Sequence, residues 1–314
     1  MKKLINTKNM SRDEWLAWRN MGIGGSDAAT ILGLNPYGTP FGLYLEKRGE
    51  IEAEEAGEAA YWGTQLEEIL AQEFKKRNPD FRVQRNNFLL QHEEYPFMIG
   101  NIDRELYHPE KGRGILEVKT ASAFLNKEWE GDSAPPKYII QTQHYMAVTG
   151  YEYAYFVVLI GGQRYHQILV ERDQEIIDYL YEAEGEFWER VKNGQAPDLS
   201  EAEAESAILK RLYPEAVHAE PLPLESTAEQ LAEQRIQLKE QEKELKKQIE
   251  SIENRLKHMI GEYESGIIND TQIFYKNVTQ RRVDSQALKN NYPDIYQKVI
   301  KINQYRKLDI KKAR

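Results

Sequence analysis

The chain has 314 residues, no cysteine, 40% hydrophobic and 11% aromatic residues, and a net charge of −9. That length allows one large domain or two to three smaller ones, with ample apolar content for a buried core. The composition excludes disulfides and thiolate metal sites, no run approaches the roughly eighteen apolar residues of a membrane span, and residues 1–6 lack the apolar stretch of a signal peptide.

The cysteine-free composition fits a reducing cytoplasm, the location expected here. The charge is uneven. Residues 267–314 hold eleven Lys/Arg against four Asp/Glu, a balance of +7, which leaves −16 on residues 1–266. Such a basic tail is either a solvated face or a contact for nucleic acid, and an acidic body is compatible with cation binding.

In chain order, residues 11–21 read as a helix, with Ser11 and Glu14 spaced as a capping box. Gly22-Ile23-Gly24-Gly25 frees the backbone, and Ser26-Asp27 starts a helix through Leu32. Pro36 and Pro40 frame a loop, and 41–48 is helical. An acidic, Ala-rich stretch at 50–58 is expected to be exposed. Leu66, Ile69, Leu70 and Phe74 give a helix over 61–76 its apolar spacing. Strands are predicted at 82–90, 98–107, 114–120, 153–160 and 165–170. A crossover helix at 136–149 separates the third and fourth, and a helix at 173–192 ends at Asn193-Gly194. Helices, a strand meander, a crossover helix and more strands make a mixed α/β core.

Residues 196–225 are rich in Pro, Ala and Glu and read as a linker after a core of 1–195. In 226–265 Leu231, Leu238, Leu245, Ile252 and Met259 repeat every seven residues. Ile249, Leu256 and Tyr263 add a second stripe in the later heptads, so a long amphipathic, coiled-coil helix is expected. Residues 266–314 read as a small basic α+β segment, with a strand at 271–278 and helices from Ser285 and Pro293.

Four sets of residues can carry chemistry. Asp103 and, fourteen residues on, Glu117-Val118-Lys119 would sit at the mouth of a sheet. Strand alternation turns Glu117 and Lys119 to one side and Val118 to the core. Carboxylate oxygens are the ligands Mg²⁺ takes, and a lysine there can approach the attacking water or the phosphate. Glu67, on the preceding helix near its buried edge, can complete the shell. Gln141 and Tyr145 share a helix face, where an amide either holds a phosphate or orients the lysine. Arg19 with Gly24-Gly25-Ser26 reads as an anion site made of backbone N–H groups and a guanidinium. Each set alone is also what surface ion pairs or exposed glutamines produce.

Together, the order and spacing of Arg19, Gly24-Gly25-Ser26-Asp27-Ala28-Ala29, Gly63 with Glu67, Gly100-Asn101-Ile102-Asp103, Leu116-Glu117-Val118-Lys119 and Tyr138 with Gln141-Thr142-Gln143 resemble the YqaJ-type viral recombinase family. These are relatives of the phage lambda exonuclease in the PD-(D/E)XK nuclease superfamily. The resemblance implies an α/β, PD-(D/E)XK nuclease-like core with a central mixed β-sheet flanked by helices. The long C-terminal coiled-coil helix and small α+β tail are additions. It also implies a phage or prophage 5′→3′ exonuclease on linear double-stranded DNA, leaving 3′ overhangs for a RecT-type annealing protein in the bacterial host. Carried over by position, Asp103, Glu117 and the Val118 carbonyl bind Mg²⁺, for which Mn²⁺ can substitute. Glu67 supports a second metal or its water, Lys119 helps activate the nucleophile, and Gln141 sits beside the active site. Arg19, Ser26, Asn101 and Gln141 match the 5′-phosphate pocket, with Asn101 standing where the lambda-type enzyme has serine. A ring-shaped homo-oligomer such as a trimer is the implied assembly. An endonuclease or nickase on the same site, or a non-catalytic protein binding DNA or a recombination partner, are the alternatives.

Overall fold

The computed structural model of the protein describes residues 1–52 and 57–310, so the acidic stretch predicted at 50–58 lies partly outside them. Two compact units divide the chain, Met1–Leu212 and Tyr213–Arg314.

In the first unit, helix boundaries follow local chemistry. Strand β1 (Lys2–Asn6) precedes α1 (Arg12–Arg19), which Ser11 and Glu14 cap reciprocally. Helix α2 (Gly25–Ile31) opens at Gly24, and Thr39 caps α3 (Pro40–Lys47) with proline at its first position. After α4 (Glu58–Arg77) come β2 (Arg82–Arg85), β3 (Phe88–Gln91), β4 (Ile99–Gly100), β5 (Arg104–His108) and β6 (Gly112–Ala121). Helix α5 (Pro136–Thr149) follows, then β7 (Tyr153–Ile160), β8 (Arg164–Glu171) and α6 (Gln174–Asn193). Left-handed Gly150 and Gly194 close α5 and α6.

The central sheet has the order β2-β5-β6-β7-β8. Its β6–β7 pair is parallel and the others antiparallel, so α5 is the crossover that a parallel pair requires. Alternation divides the core in two. Leu116, Val118 and Val157 pack with Leu70 and Phe74 of α4 on one face. Ile115, Phe156 and Val158 pack with Met146 and Ile177 on the other. This mixed sheet flanked by helices is a PD-(D/E)XK-like core. On the α5 side, buried His144 joins three elements. Its Nδ1 is 2.8 Å from Glu184 of α6 and its Nε2 donates to the Ile99 carbonyl at 2.8 Å.

Three expectations needed correction. The continuous strands at 82–90 and 98–107 each break in two. Asn86 takes the Phe88 N–H, and the chain leaves the central sheet for a small one of order β1-β3-β4, returning at β5. Strand β1, which pairs with β3, had no apolar alternation to announce it. The predicted linker contains α7 (Glu203–Leu212), whose buried Ile208 packs against Gly42; a Cβ there would lie 2.4 Å from Ile208 Cδ1.

In the second unit, α8 (Thr227–Ile260) is followed by a hairpin of β9 (Ser265–Ile268) and β10 (Thr271–Phe274), then α9 (Ser285–Asn291) and α10 (Pro293–Val299). The stretch expected to form a coiled coil is one long helix with its heptad residues exposed, and no helix is seen paired with that stripe among the described residues. No helix among the described residues is long and apolar enough to cross a membrane.

Candidate active site

Pairing between β5 and β6 ends at Arg104 opposite Leu116, whereas β6 stays paired with β7 through Ala121. From Glu117 onward one edge of β6 is therefore open. Asp103 fills it, its Oδ2 accepting the Val118 N–H at 2.8 Å. A strand residue's N–H and C=O leave on the same edge, so the Val118 carbonyl faces this gap as well.

Alternation turns Glu117 toward α5, where it is 1% exposed. Its Oε2 accepts from Lys119 Nζ at 3.1 Å and from Gln141 Nε2 at 3.5 Å, while Oε1 is buried without a partner. Burial, reinforced by the nearby Asp103 carboxylate, pushes the Glu117 carboxyl up to about 8. Burial disfavours the Lys119 ammonium, but Glu117 and Asp103 outweigh it and hold its pKa above the ordinary lysine value. Gln141 also donates to the Tyr145 hydroxyl at 3.1 Å, which fixes its amide. A buried carboxylate oxygen lacking a donor, beside a second carboxylate, is the environment a hard divalent cation satisfies. The residues fit such an ion.

Glu67 stands apart. It lies on α4, against the other face of the sheet, and pairs with Arg104 and, at 3.5 Å, with Arg85. Arg104 is 3% exposed and also donates to Glu68 at 2.8 Å and to the Asp103 carbonyl at 2.7 Å. Among the described residues no three His, Cys, Asp or Glu side chains converge closely enough to hold a metal. The structure thus brings Asp103 and Glu117 together and ties Glu67 to an arginine. Sequence reading missed Arg104. Its signal was an arginine at a core-facing strand position, opposite Leu116, which burial allows only with a carboxylate partner.

The glycine turn is held by Asp27 and Lys47, both buried, and by the partly exposed Arg19. Asp27 Oδ1 accepts from Arg19 at 2.8 Å, and its Oδ2 accepts from Lys47 at 2.7 Å and from the Gly24 N–H at 3.0 Å. Burial alone would raise the Asp27 pKa; Arg19 and Lys47 reverse this and hold it well below the usual carboxylate range. Arg19 also donates to Ser26 Oγ at 2.5 Å. Both border a cleft of about 680 Å³ that Tyr37, Glu46 and Arg211 also line. Asn101 is engaged elsewhere, its amide donating to the Phe88 carbonyl at 3.3 Å.

Gly25 joins the two regions. A Cβ there would meet Tyr145 Cε1 at 2.7 Å and Gln141 Cγ at 3.0 Å. Gly25→Ala is therefore expected to cost about 1–3 kcal/mol and to displace Gln141 from Glu117. Thermal unfolding measures the first effect, and a crystal structure of the variant the second.

Residues 14–152 match the model of the YqaJ-like viral recombinase domain. The chain is 43% identical over 314 residues to the uncharacterized protein YqaJ of Bacillus subtilis (strain 168), covering 99% of this chain and 97% of that one. It also resembles the alkaline exonuclease LHK-Exo of Laribacter hongkongensis (19% identity, TM-score 0.48, 58% of this chain and 94% of that one). A phage-related exonuclease from Haemophilus somnus 129PT is similar at 15% identity and TM-score 0.45, over 58% of this chain and 100% of that one. With 43% of residues identical to YqaJ over nearly the full length, and the Asp103/Glu117/Lys119 arrangement in a PD-(D/E)XK-like sheet, the chain belongs to the YqaJ-like viral recombinase family.

Proposed function

We propose that this protein is a divalent-cation-dependent deoxyribonuclease that digests linear duplex DNA from its 5′ ends. The observation that carries this reading is Glu117: buried, held on one oxygen by Lys119 and Gln141, and lacking a donor on the other, beside Asp103. Asp103, Glu117 and the Val118 carbonyl would hold the cation, Mg²⁺ with Mn²⁺ as substitute. When bound, it supplies Lewis-acid polarisation of the scissile phosphate and stabilises the leaving oxygen.

This chain's own residues do the rest. Lys119, kept protonated by the two carboxylates, donates to the attacking water or to a phosphate oxygen. Gln141 holds both the Glu117 carboxylate and the Tyr145 hydroxyl, so it orients the acidic pair. Glu67, released from Arg104, would serve a second cation or its water. Asn101 stands two residues before Asp103 and would donate to the phosphate after exchanging its Phe88 partner.

The preference for ends over internal sites is supported by the cleft at Arg19 and Ser26. A terminal 5′-phosphate would take their donors, and Gly25 lets that turn pack against Gln141. The 5′→3′ polarity is proposed from the motif resemblance to the lambda-type exonucleases. The 3′ overhang left behind is the substrate of an annealing protein of the RecT type.

Linear duplex DNA, 5′-phosphorylated and labelled at either end, tests this beside closed circles, with Mg²⁺ or EDTA. Mononucleotides released from 5′ ends only with Mg²⁺, and intact circles, are expected. Nicked circles would replace the exonuclease by an endonuclease, and failure to cut either substrate would reject nuclease activity of the isolated chain.

A further inference from the structure

His144 is a buried titratable group that the proposed chemistry leaves unused, yet three pieces of the site meet at it. It lies on α5 between Gln141 and Tyr145 and is fully buried. Its Nε2 is 2.8 Å from the Ile99 carbonyl of β4. A carbonyl oxygen only accepts, so Nε2 carries a hydrogen. Its Nδ1 is 2.8 Å from Oε1 of Glu184 on α6, a side chain equally buried, whose Oε2 has no hydrogen-bond partner.

Ile99 joins the backbone of the site. Strand β4 is two residues long and pairs with β3 on one edge. Both polar groups of Ile99 leave from the other edge. Its N–H donates to the Ile23 carbonyl at 2.9 Å, and its carbonyl accepts from His144. Ile23 runs directly into Gly24-Gly25-Ser26, the turn of the phosphate cleft. In the other direction β4 continues through Gly100, where a Cβ would meet Tyr145 Cδ1 at 3.1 Å, to Asn101 and Asp103.

We infer that His144 is a positioning residue of the nuclease centre: by holding the Ile99 carbonyl from α5, it sets β4, and with it Asp103 and the Ile23–Ser26 turn, against Gln141 and Glu117. This role presupposes the nuclease reading. Glu184 orients the ring, since a carboxylate on one ring nitrogen fixes the hydrogen on the other. Burial disfavours the His144 cation, but Glu184 outweighs it, aided by the Ile99 carbonyl and Asp27, and holds its pKa above the ordinary histidine value. Burial also raises the Glu184 carboxyl, against the pull of His144 and Lys47. One proton is therefore held between Nδ1 and Oε1, and the ring cannot turn over without breaking both contacts.

A buried pair is also a structural feature, so the test separates stability from positioning. His144→Phe/Glu184→Leu removes both polar groups together, strands no charge and is expected to fold. In this variant of the full chain, the Mg²⁺ concentration for half-maximal cleavage of linear duplex should increase at least about tenfold. The concentration for half the melting-temperature rise expected with Mg²⁺ should increase alongside it, a readout independent of cleavage. Glu184→Gln keeps the shape and offers Nδ1 an amide N–H, so Nε2–H stays on Ile99 and both readouts should remain near wild type. The ring ¹⁵N spectrum of the wild type, which depends on no variant folding, should show His144 Nε2 protonated at neutral pH. A wild-type Mg²⁺ response in the folded apolar variant would overturn this role of His144. So would a loss in Glu184→Gln as large as in the apolar variant, or an Nε2 without its hydrogen. A wild type that itself neither cuts nor responds to Mg²⁺ would instead remove the nuclease reading, and this role with it.

Discussion

Asp27→Ala is expected to lower folding stability by about 3–5 kcal/mol, because it strands the Lys47 ammonium, which has no access to water. The Lys47 side chain is 2% exposed and its ammonium has Asp27 and the Arg19 carbonyl as partners. The loss measures the stranded charge rather than the net worth of the ion pair. Replacing Lys47 as well, as Asp27→Ala/Lys47→Met, should recover most of it. Chemical denaturation of the three proteins at pH 7 measures both effects.

The same residue predicts a pH dependence. The folded Asp27 pKa lies below its unfolded value, so its contribution is complete above about pH 4 and is lost as pH falls toward the depressed folded value. The wild-type protein should lose stability over that acid range, and Asp27→Ala should lack this component. An equal acid dependence in both would show that Asp27 is not the group responsible.

Asp103→Asn and Glu117→Gln are each expected to reduce cleavage about a thousandfold or more, the several kcal/mol that metal-assisted charge stabilisation supplies. The substitutions keep shape. In Asp103→Asn the new amide oxygen would still accept the Val118 N–H, so loss of activity would not reflect loss of the strand end. Glu117→Gln carries a second expectation. It removes a charge that burial disfavours, so the cation-free variant should melt at or above the wild-type temperature. Mg²⁺ is expected to raise the melting temperature of the wild type but not of this variant. Retained Mg²⁺-dependent cleavage in either variant would remove the pair from the catalytic centre.

The parts of this protein legible in its sequence are those whose physics is local. Helix α5 and strand β7 begin and end where their proline, glycine and apolar pattern predict, because caps and periodicity act over a few residues. Alternation likewise put Glu117 and Lys119 on one side of a strand and Val118 on the other. The motif order was enough to indicate the family.

What depends on distant partners emerged only in the assembled fold. That β2 and β3 belong to different sheets, and that a polar N-terminal segment forms β1, follows from strand pairing across many residues. Helix α7 is helical in a stretch that composition reads as linker because Ile208 finds a place beside Gly42. Within the site, spacing could list carboxylates but not say which share a face. Glu67 and Glu117 approach the sheet from opposite sides, and the buried guanidinium of Arg104 holds the first while the second keeps a free oxygen. Charge burial is a property of the assembled fold: a carboxylate's role depends on which cation reaches it and whether water does.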